Sequence, residues 1–411
     1  MNERVILHCD CNSFFASVET ALEPKYKNVP MAVCGDVEQR HGIILAKNEL
    51  AKKYGIQTAE TVYSAKKKCP HLVLAKPHYD EYVKYSRAAN AIYARYTDMI
   101  ESFGIDESWL DVTASSVFGS GYDIAEKIRN EIKNELGITV SIGVSFNKVF
   151  AKLGSDYKKP DAITVISKEN YQEIIFPLPV SSLLFVGHKT DEMLKTLGIR
   201  TIGDLAAASR ELLSFKLGKA GEQLSKYARA EDDSPVTPVN DQDSKSIGNG
   251  FTFKHDLVGR EECRLGINYL SEEIGTKLRI RGQKCAGVQL SIKDEFLRTI
   301  QRNAIINPPT DLSSEIADHA FEILCKEWSQ DRPIRMITVT ATNLMRKDSI
   351  CEQMDLFGEN DSAKREKDGK REIAIDEIRN KFGMDSIMRA SIIDNDLGIG
   401  QKKNTKDGNR S

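Results

Sequence analysis

The order of apolar runs and helix signals predicts an α+β chain of several domains. Two sequence patterns carry this expectation. Residues 4–166 read β-α…α-β-β-α-β, and residues 248–342 read β-α-β-β-α-β, with a glycine-punctuated helical stretch between them. Length agrees: 411 residues exceed one ordinary core, and the prior is roughly two to four domains.

The elements follow in order. The apolar run Val5-Ile6-Leu7-His8-Cys9 gives a first strand over 4–10. Asn12 or Ser13 can cap a helix through Phe14, Val18 and Leu22. Residues 24–76 form a small basic segment, with short strands at 31–34 and 43–46 and a helix at about 48–54. A long helix covers about 79–96. Residues 99–103 and 109–112 form a hairpin around a turn at 104–108. Residues 122–136 form a helix ended by Gly137, followed by a strand at 140–144, a helix at 148–157 and a last strand at 162–166. This order suggests an antiparallel or mixed sheet with helices on one face.

From Val180 the pattern changes. Leu183-Leu184-Phe185-Val186-Gly187-His188-Lys189-Thr190 leads into a helix ending at Leu197-Gly198-Ile199, and a second short helix covers 202–209. Helix, glycine turn, helix resembles a helix-hairpin-helix, which offers backbone N–H groups at a helix start to a DNA phosphate. Two packed helices with a glycine turn explain this segment equally well. Residues 231–247 are polar, with Pro235 and Pro238, and read as a linker. Beyond it the expected elements are strands at 248–253, 287–293, 297–306 and 335–342, with helices at 264–279 and 313–328. Residues 360–370 read as a charged tail, 371–389 as one more helix, and 401–411 as disordered.

Composition is that of a soluble globular protein, 40% hydrophobic and 29% charged. No apolar stretch approaches the ~20 residues that span a bilayer, and the N-terminus lacks the form of a signal peptide. Eight cysteines occur without C-x-x-C or zinc spacing, as in a reduced cytoplasmic protein. Net charge is −2, so no global nucleic-acid signature exists. Basic residues are concentrated locally, at Lys66-Lys67-Lys68, at Lys148, Lys152, Lys158 and Lys159, and at Lys277, Arg279, Arg281 and Lys284. Such runs are commonly only solvated faces.

Three carboxylates carry the chemistry. Asp10 ends the first apolar run, and Asp106 and Glu107 sit in Ser102-Phe103-Gly104-Ile105-Asp106-Glu107-Ser108-Trp109-Leu110-Asp111. Acids at the edge of a sheet core are costly to desolvate without partners. If the two strands are neighbours, the acids repel one another unless a cation lies between them. Mg²⁺ is the obvious occupant, because it prefers carboxylate oxygen and shares its shell with phosphates.

Taken together, the motifs resemble a Y-family, translesion DNA polymerase, close to the DNA polymerase IV branch. The residues that carry this are Asp10-Cys11-Asn12-Ser13-Phe14-Phe15-Ala16-Ser17-Val18-Glu19 and Gly104-Ile105-Asp106-Glu107-Ser108-Trp109-Leu110-Asp111. They also include Gly143-Val144-Ser145-Phe146-Asn147-Lys148-Val149-Phe150-Ala151-Lys152-Leu153-Gly154-Ser155-Asp156, with Lys159-Pro160. The resemblance covers residues 4 to about 345. It implies a right-hand layout: palm at 1–24 and 77–167, fingers at 25–76, and thumb at 168–235. A linker at 236–247, a little finger at 248–345 and a tail at 346–411 would follow.

The same resemblance implies site residues. Asp10 and Asp106 would hold two Mg²⁺ ions, with the Cys11 backbone carbonyl completing one site and Glu107 as the third catalytic carboxylate. Phe15 would be the steric gate against the 2′-OH, with Phe14 beside the triphosphate. Lys159 would hold the triphosphate. The fingers depart from the family pattern Asn-Tyr-x-Ala-Arg. Here Glu49 takes the tyrosine place and Lys52 the arginine place, and a lysine lacks the bidentate fork of arginine.

Gly187, Lys189, Arg279, Arg281 and Lys284 would contact DNA. Gln353-Met354-Asp355-Leu356-Phe357 resembles a sliding-clamp-binding peptide, with Gln353, Asp355, Leu356 and Phe357 as its contacts. The implied partners are primer-template DNA, dNTPs and the β clamp, with the chain acting as a monomer. Two other readings are a clamp-tethered DNA-binding protein without polymerase activity and a metal-dependent nuclease or cyclase. The acids together with Phe15 argue against the first. The gate helix, helix-hairpin-helix and clamp peptide argue against the second.

Overall fold

The computed structural model describes residues 3–36, 40, 42–238, 244–329, 331–349, 359–383, 386–393 and 395–400. The chain divides into two units, 1–35 with 43–239, and 36–42 with 240–411. Each combines sheets and helices, the α+β architecture the sequence predicts.

The first unit is built on β1 (Ile6–Cys11), with α1 (Phe14–Leu22) directly after it. A three-stranded sheet follows from β2 (Met31–Cys34), β3 (Ile44–Lys47) and β4 (Val73–Ala75), in the order β3-β2-β4. Helices α2 (Glu49–Lys52) and α3 (Val62–Lys68) belong to this segment. Next come α4 (Tyr79–Tyr93), β5 (Ile100–Ser102), β6 (Glu107–Asp111) and α5 (Gly121–Glu131). The latter continues as one π turn until Gly137, whose φ of 66° ends it. β7 (Val140–Ser145), α6 (Lys148–Tyr157) and β8 (Ile163–Ile166) complete the main sheet.

That sheet has the order β5-β6-β1-β7-β8 and is mixed, since only β7 and β8 run parallel. Central β1 is covered on both faces, which explains its near-continuous apolar sequence. Leu7, Cys9 and Cys11 enter a core with Tyr82, Ile92, Ile124 and Ile128. Ile6 points the other way, toward Trp109 and Ala151. Gly143 permits α6 to lie close on this second face, because a Cβ there would come within 1.8 Å of the Ala151 carbonyl oxygen.

Five further helices complete the unit: α7 (Tyr171–Ile175), α8 (His188–Thr196), α9 (Ile202–Ala207), α10 (Arg210–Leu217) and α11 (Lys219–Ala228). Ile175, Leu194, Ile202, Leu213 and Leu224 share their core. Between α8 and α9, Gly198 takes φ 80°. Thr201 and Asp204 then form a reciprocal cap that starts α9.

The second unit contains β9 (Ser246–Leu257), α12 (Gly259–Ile280), β10 (Gln283–Asp294), β11 (Thr299–Thr310), α13 (Ser313–Glu327) and β12 (Ile334–Arg346). Its antiparallel sheet has the order β11-β10-β12-β9. β11 continues past its expected end through Pro308 and Pro309. Being an edge strand, it tolerates residues that cannot donate to a ladder.

The C-terminal region departs from expectation. The charged stretch expected as a tail is instead part of α14 (Glu359–Phe382). Ile392, Leu397 and Ile399 are buried in the second unit's core, and the Lys254 N–H donates to the Leu397 carbonyl at 3.1 Å. These apolar residues are too sparse for a periodicity argument to detect. Residues 401–411 lie outside the described residues. Among the described residues, no helix is long and apolar enough to cross a membrane.

Candidate active site

Strand register assembles the acids. β1 pairs antiparallel with β6, placing Asp10 directly opposite Glu107 and His8 opposite Trp109. Residues two apart on a strand share a face. His8 and Asp10 therefore project with Glu107 and Trp109 toward α6. The ligating atoms of His8, Asp10 and Glu107 lie within 4.8 Å of one another. Asp106 is not part of that group. It immediately precedes β6, close enough to Asp10 and Glu107 to feel both charges, and its backbone carbonyl accepts from the Cys11 N–H at 2.9 Å.

Charge balance comes from α6 and the segment after it. Lys152 Nζ lies 2.5 Å from Glu107 Oε2. Lys159 Nζ lies 2.7 Å from Asp10 Oδ2 and 2.7 Å from Asp156 Oδ1. Burial pushes Asp106 up to about 6, and the charges of Asp10 and Glu107 add to the shift. Burial acts on Glu107 in the same sense, but His8 and Lys152 outweigh it and hold that carboxyl at about 2. A site with one acid driven toward neutrality and two others paired to lysines suits a divalent cation. Asp10, Asp106 and Glu107 provide hard oxygen donors for it. The Cys11 thiol is pushed up to about 12 by burial, so this residue offers no thiolate and only its backbone carbonyl suits a hard ion.

The sequence reasoning missed His8. It is fully buried, with Nδ1 2.8 Å from Ser155 Oγ and Nε2 3.3 Å from Glu107 Oε2. Burial lowers its pKa, so it is neutral at pH 7. Its position two residues before Asp10, on the same strand face, was the available signal. Lys152 appeared only as one member of a basic run.

Phe14 is buried at the start of α1, within the core of the unit. Phe15 is partly exposed. Its ring stacks on Tyr82 at 4.1 Å and 10° between planes, with Tyr79 edge-on at 6.1 Å. Tyr82 in turn donates its hydroxyl to buried Glu19. Lys52 pairs with Glu49 at 2.6 Å, and both side chains are exposed.

The expected DNA contacts are distributed unevenly. Gly187 is the N-cap of α8 and Lys189 lies in its first turn, with no side chain capping that helix start. Arg281 follows α12 and donates to Ser244 Oγ at 3.1 Å. Lys284 sits on β10 opposite Met345. The expectation for Arg279 needs correction. Its side chain is 8% exposed, ion-paired with Glu372 and held 2.5 Å from Asp376 Oδ2. Both acids come from α14, in the stretch 371–382 that the sequence predicts as helix but gives no partner. Replacing Arg279 by Ala strands two buried carboxylates, and we expect a loss of about 3 kcal/mol in the second unit's stability. Urea unfolding monitored by Trp328 fluorescence checks this. A drop in DNA affinity without loss of stability would restore the contact role. Gln353, Asp355, Leu356 and Phe357 lie outside the described residues.

Comparison with known proteins agrees with this geometry. Residues 9–156 match the model of the impB/mucB/samB family, and residues 244–356 match the impB/mucB/samB family C-terminal domain. DNA polymerase IV of Acetivibrio thermocellus is 48% identical over 394 residues, covering 95% of this chain and 98% of that protein. DNA polymerase IV 1 of Bacillus subtilis is 35% identical over 390 residues, covering 95% and 93%. The solved structure of a Y-family DNA polymerase chimera, Dbh-Dpo4(243-245)-Dbh, superposes with a TM-score of 0.74 at 25% identity. It covers 83% of this chain and 99% of that one. The chain belongs to the impB/mucB/samB family of Y-family DNA polymerases, on the DNA polymerase IV branch.

Proposed function

We propose that the chain is a template-directed DNA polymerase for translesion synthesis, transferring dNMP to a primer 3′-OH with low fidelity and without proofreading. The observation that carries this is the antiparallel register that sets Asp10 opposite Glu107, with Asp106 beside them and Phe15 four residues beyond β1. Asp10, Asp106, Glu107 and the Cys11 carbonyl would hold two Mg²⁺ ions. When bound, such ions acidify the 3′-hydroxyl and neutralise the triphosphate during in-line displacement. Lys159 and Lys52 bind the triphosphate as point charges, and Phe14 contributes its backbone N–H beside it. Phe15 walls off the 2′ position of the sugar.

In this reading residues 1–24 with 77–167 are the palm, 25–76 the fingers and 168–235 the thumb. Residues 236–247 are the linker and 248–345 the little finger, to which α14 and Ile392, Leu397 and Ile399 add by packing on the same core. Gly187, Lys189, Arg281 and Lys284 contact the DNA backbone, which positions a duplex without reading its sequence. The seven cysteines among the described residues are free, which favours the reducing cytoplasm. The chain acts there as a monomer.

Primer extension by the purified chain with Mg²⁺ and dNTPs tests the reading, and extension should weaken steeply with added salt as phosphate contacts are screened. Absence of template-directed extension would overturn it. Residues 353–357 add a tether to the sliding clamp. Tethering raises local concentration at the primer end. Deleting them should bring the ratio of clamp-stimulated to unstimulated synthesis to about one; a ratio equal to that of the intact chain would remove the tether.

A further inference from the structure

A carboxylate stands where the nucleotide's phosphates are expected. Glu49 Oε1 accepts from Ser13 Oγ at 3.0 Å and lies 2.6 Å from Lys52 Nζ. Ser13 is the N-cap residue of α1, yet its side chain makes no capping bond, because the hydroxyl is turned to Glu49. The start of a helix leaves N–H groups without intrahelical partners and favours an anion. Ser13 and Lys52, which flank this start, are thus already occupied by an anion from the chain itself.

The backbone that carries Glu49 is anchored. Glu49 is the first residue of α2, whose N-cap is Asn48. Asn48 Oδ1 accepts from Ala51 N at 2.9 Å and from Met31 N at 3.1 Å, and its Nδ2 donates to the Val29 carbonyl at 2.8 Å. These bonds fix α2 to β2. Lys47 lies in the same cluster, with its Nζ 2.8 Å from Thr58 Oγ1. The carboxylate therefore neutralises part of the positive field that a triphosphate would use.

We propose that Glu49 is an internal competitor of the substrate triphosphate. It holds Ser13 and Lys52 in the nucleotide-free enzyme, and an incoming dNTP must displace it to reach them. The inference rests on the polymerase reading above and concerns how tightly that site binds nucleotide. Exposed ion pairs are worth up to about 1 kcal/mol, so the expected effect is about two- to fivefold in nucleotide affinity. Screening by salt should reduce it.

The experiment measures equilibrium binding of dATP with Mg²⁺ to the full chain at low ionic strength, for the unaltered protein, Glu49→Gln, Lys52→Ala and the double variant. Glu49→Gln should tighten binding about two- to fivefold. Lys52→Ala should weaken it, and Glu49→Gln should gain less in that background, because the ion pair is gone and only the Ser13 contact remains. Unchanged or weaker binding in Glu49→Gln overturns the proposal, as does an equal gain in both backgrounds. All three variants change only exposed side chains, and circular dichroism checks that they fold. Primer extension separates the two readings. A chain that shows the affinity pattern but never extends a primer keeps this inference and loses the polymerase. One that extends primers without the pattern does the reverse.

Discussion

Replacing Asp106 by Asn should reduce primer extension by about 10³-fold or more, and in metal-free protein it should raise the melting temperature at pH 7.5. In the proposed mechanism the activity loss follows from removing one of three carboxylates that would hold the cations balancing transition-state charge, a contribution of several kcal/mol. The stability gain follows from linkage. Partial burial, with the charges of Asp10 and Glu107, pushes Asp106 up to about 6 in the folded chain, whereas an unfolded Asp titrates near 3.9. Between these values the folded state binds more protons than the unfolded state, so stability falls as pH rises through the window. Below about pH 4 both states are protonated and the penalty vanishes.

Asn removes this penalty. Because the group is not fully enclosed, we expect a gain of about 1 kcal/mol, or about 2–4 °C at pH 7.5, with none at pH 4. Added Mg²⁺ should favour the unaltered protein and close the gap. The same shift predicts that half-saturating Mg²⁺ for extension rises as pH drops below about 6, since metal must then displace a proton. Thermal melts at two pH values with and without Mg²⁺ check the stability claim. A variant less stable than its parent at pH 7.5 would reject the electrostatic account of Asp106.

The sequence made the acids legible because each sits beside a stretch that reads as a buried strand, and one pairing of strands brings those stretches together. It could not show how they divide. Glu107, the first residue of β6, joins Asp10 and His8 on one strand face, whereas Asp106 lies in the bend before β6, where no strand period fixes its side chain. His8 was hidden because a histidine within Val5-Ile6-Leu7-His8-Cys9 has the position of a core residue, and only α6 supplies Ser155 and Lys152 around it. Arg279 was misread for a related reason. A basic cluster before a strand suggests a phosphate contact, but its partners, Glu372 and Asp376, are more than ninety residues away on a helix with little amphipathic signal. Glu49 was visible as a departure from the family pattern, but its bond to Ser13 depends on tertiary placement.

Replacing Phe15 by Ala should admit ribonucleotides, raising the rNTP-to-dNTP ratio of kcat/KM by about 10²-fold. Excluding a group by shape is worth a few kcal/mol, and an open pocket cannot recover it. In the proposed gate role the ring is supported from beneath and from its edge. It lies flat on Tyr82 at 4.1 Å, with Tyr79 against its edge. Tyr82 is buried and its hydroxyl is held by Glu19, so the stack is anchored in the core. Aromatic pairs of this kind contribute about 0.5–1.5 kcal/mol beyond burial. A gate held this way fails in two distinguishable ways. Phe15→Ala removes the wall itself. Tyr82→Leu leaves the wall but loosens its support, and should raise the ribonucleotide ratio by no more than about tenfold while leaving deoxynucleotide KM within about twofold. Single-nucleotide insertion kinetics with matched dNTP and rNTP measure both. Unchanged discrimination in Phe15→Ala would remove the gate assignment. An equal effect of the two substitutions would instead mean that general disorder of α1, not loss of the ring, admits the 2′-hydroxyl.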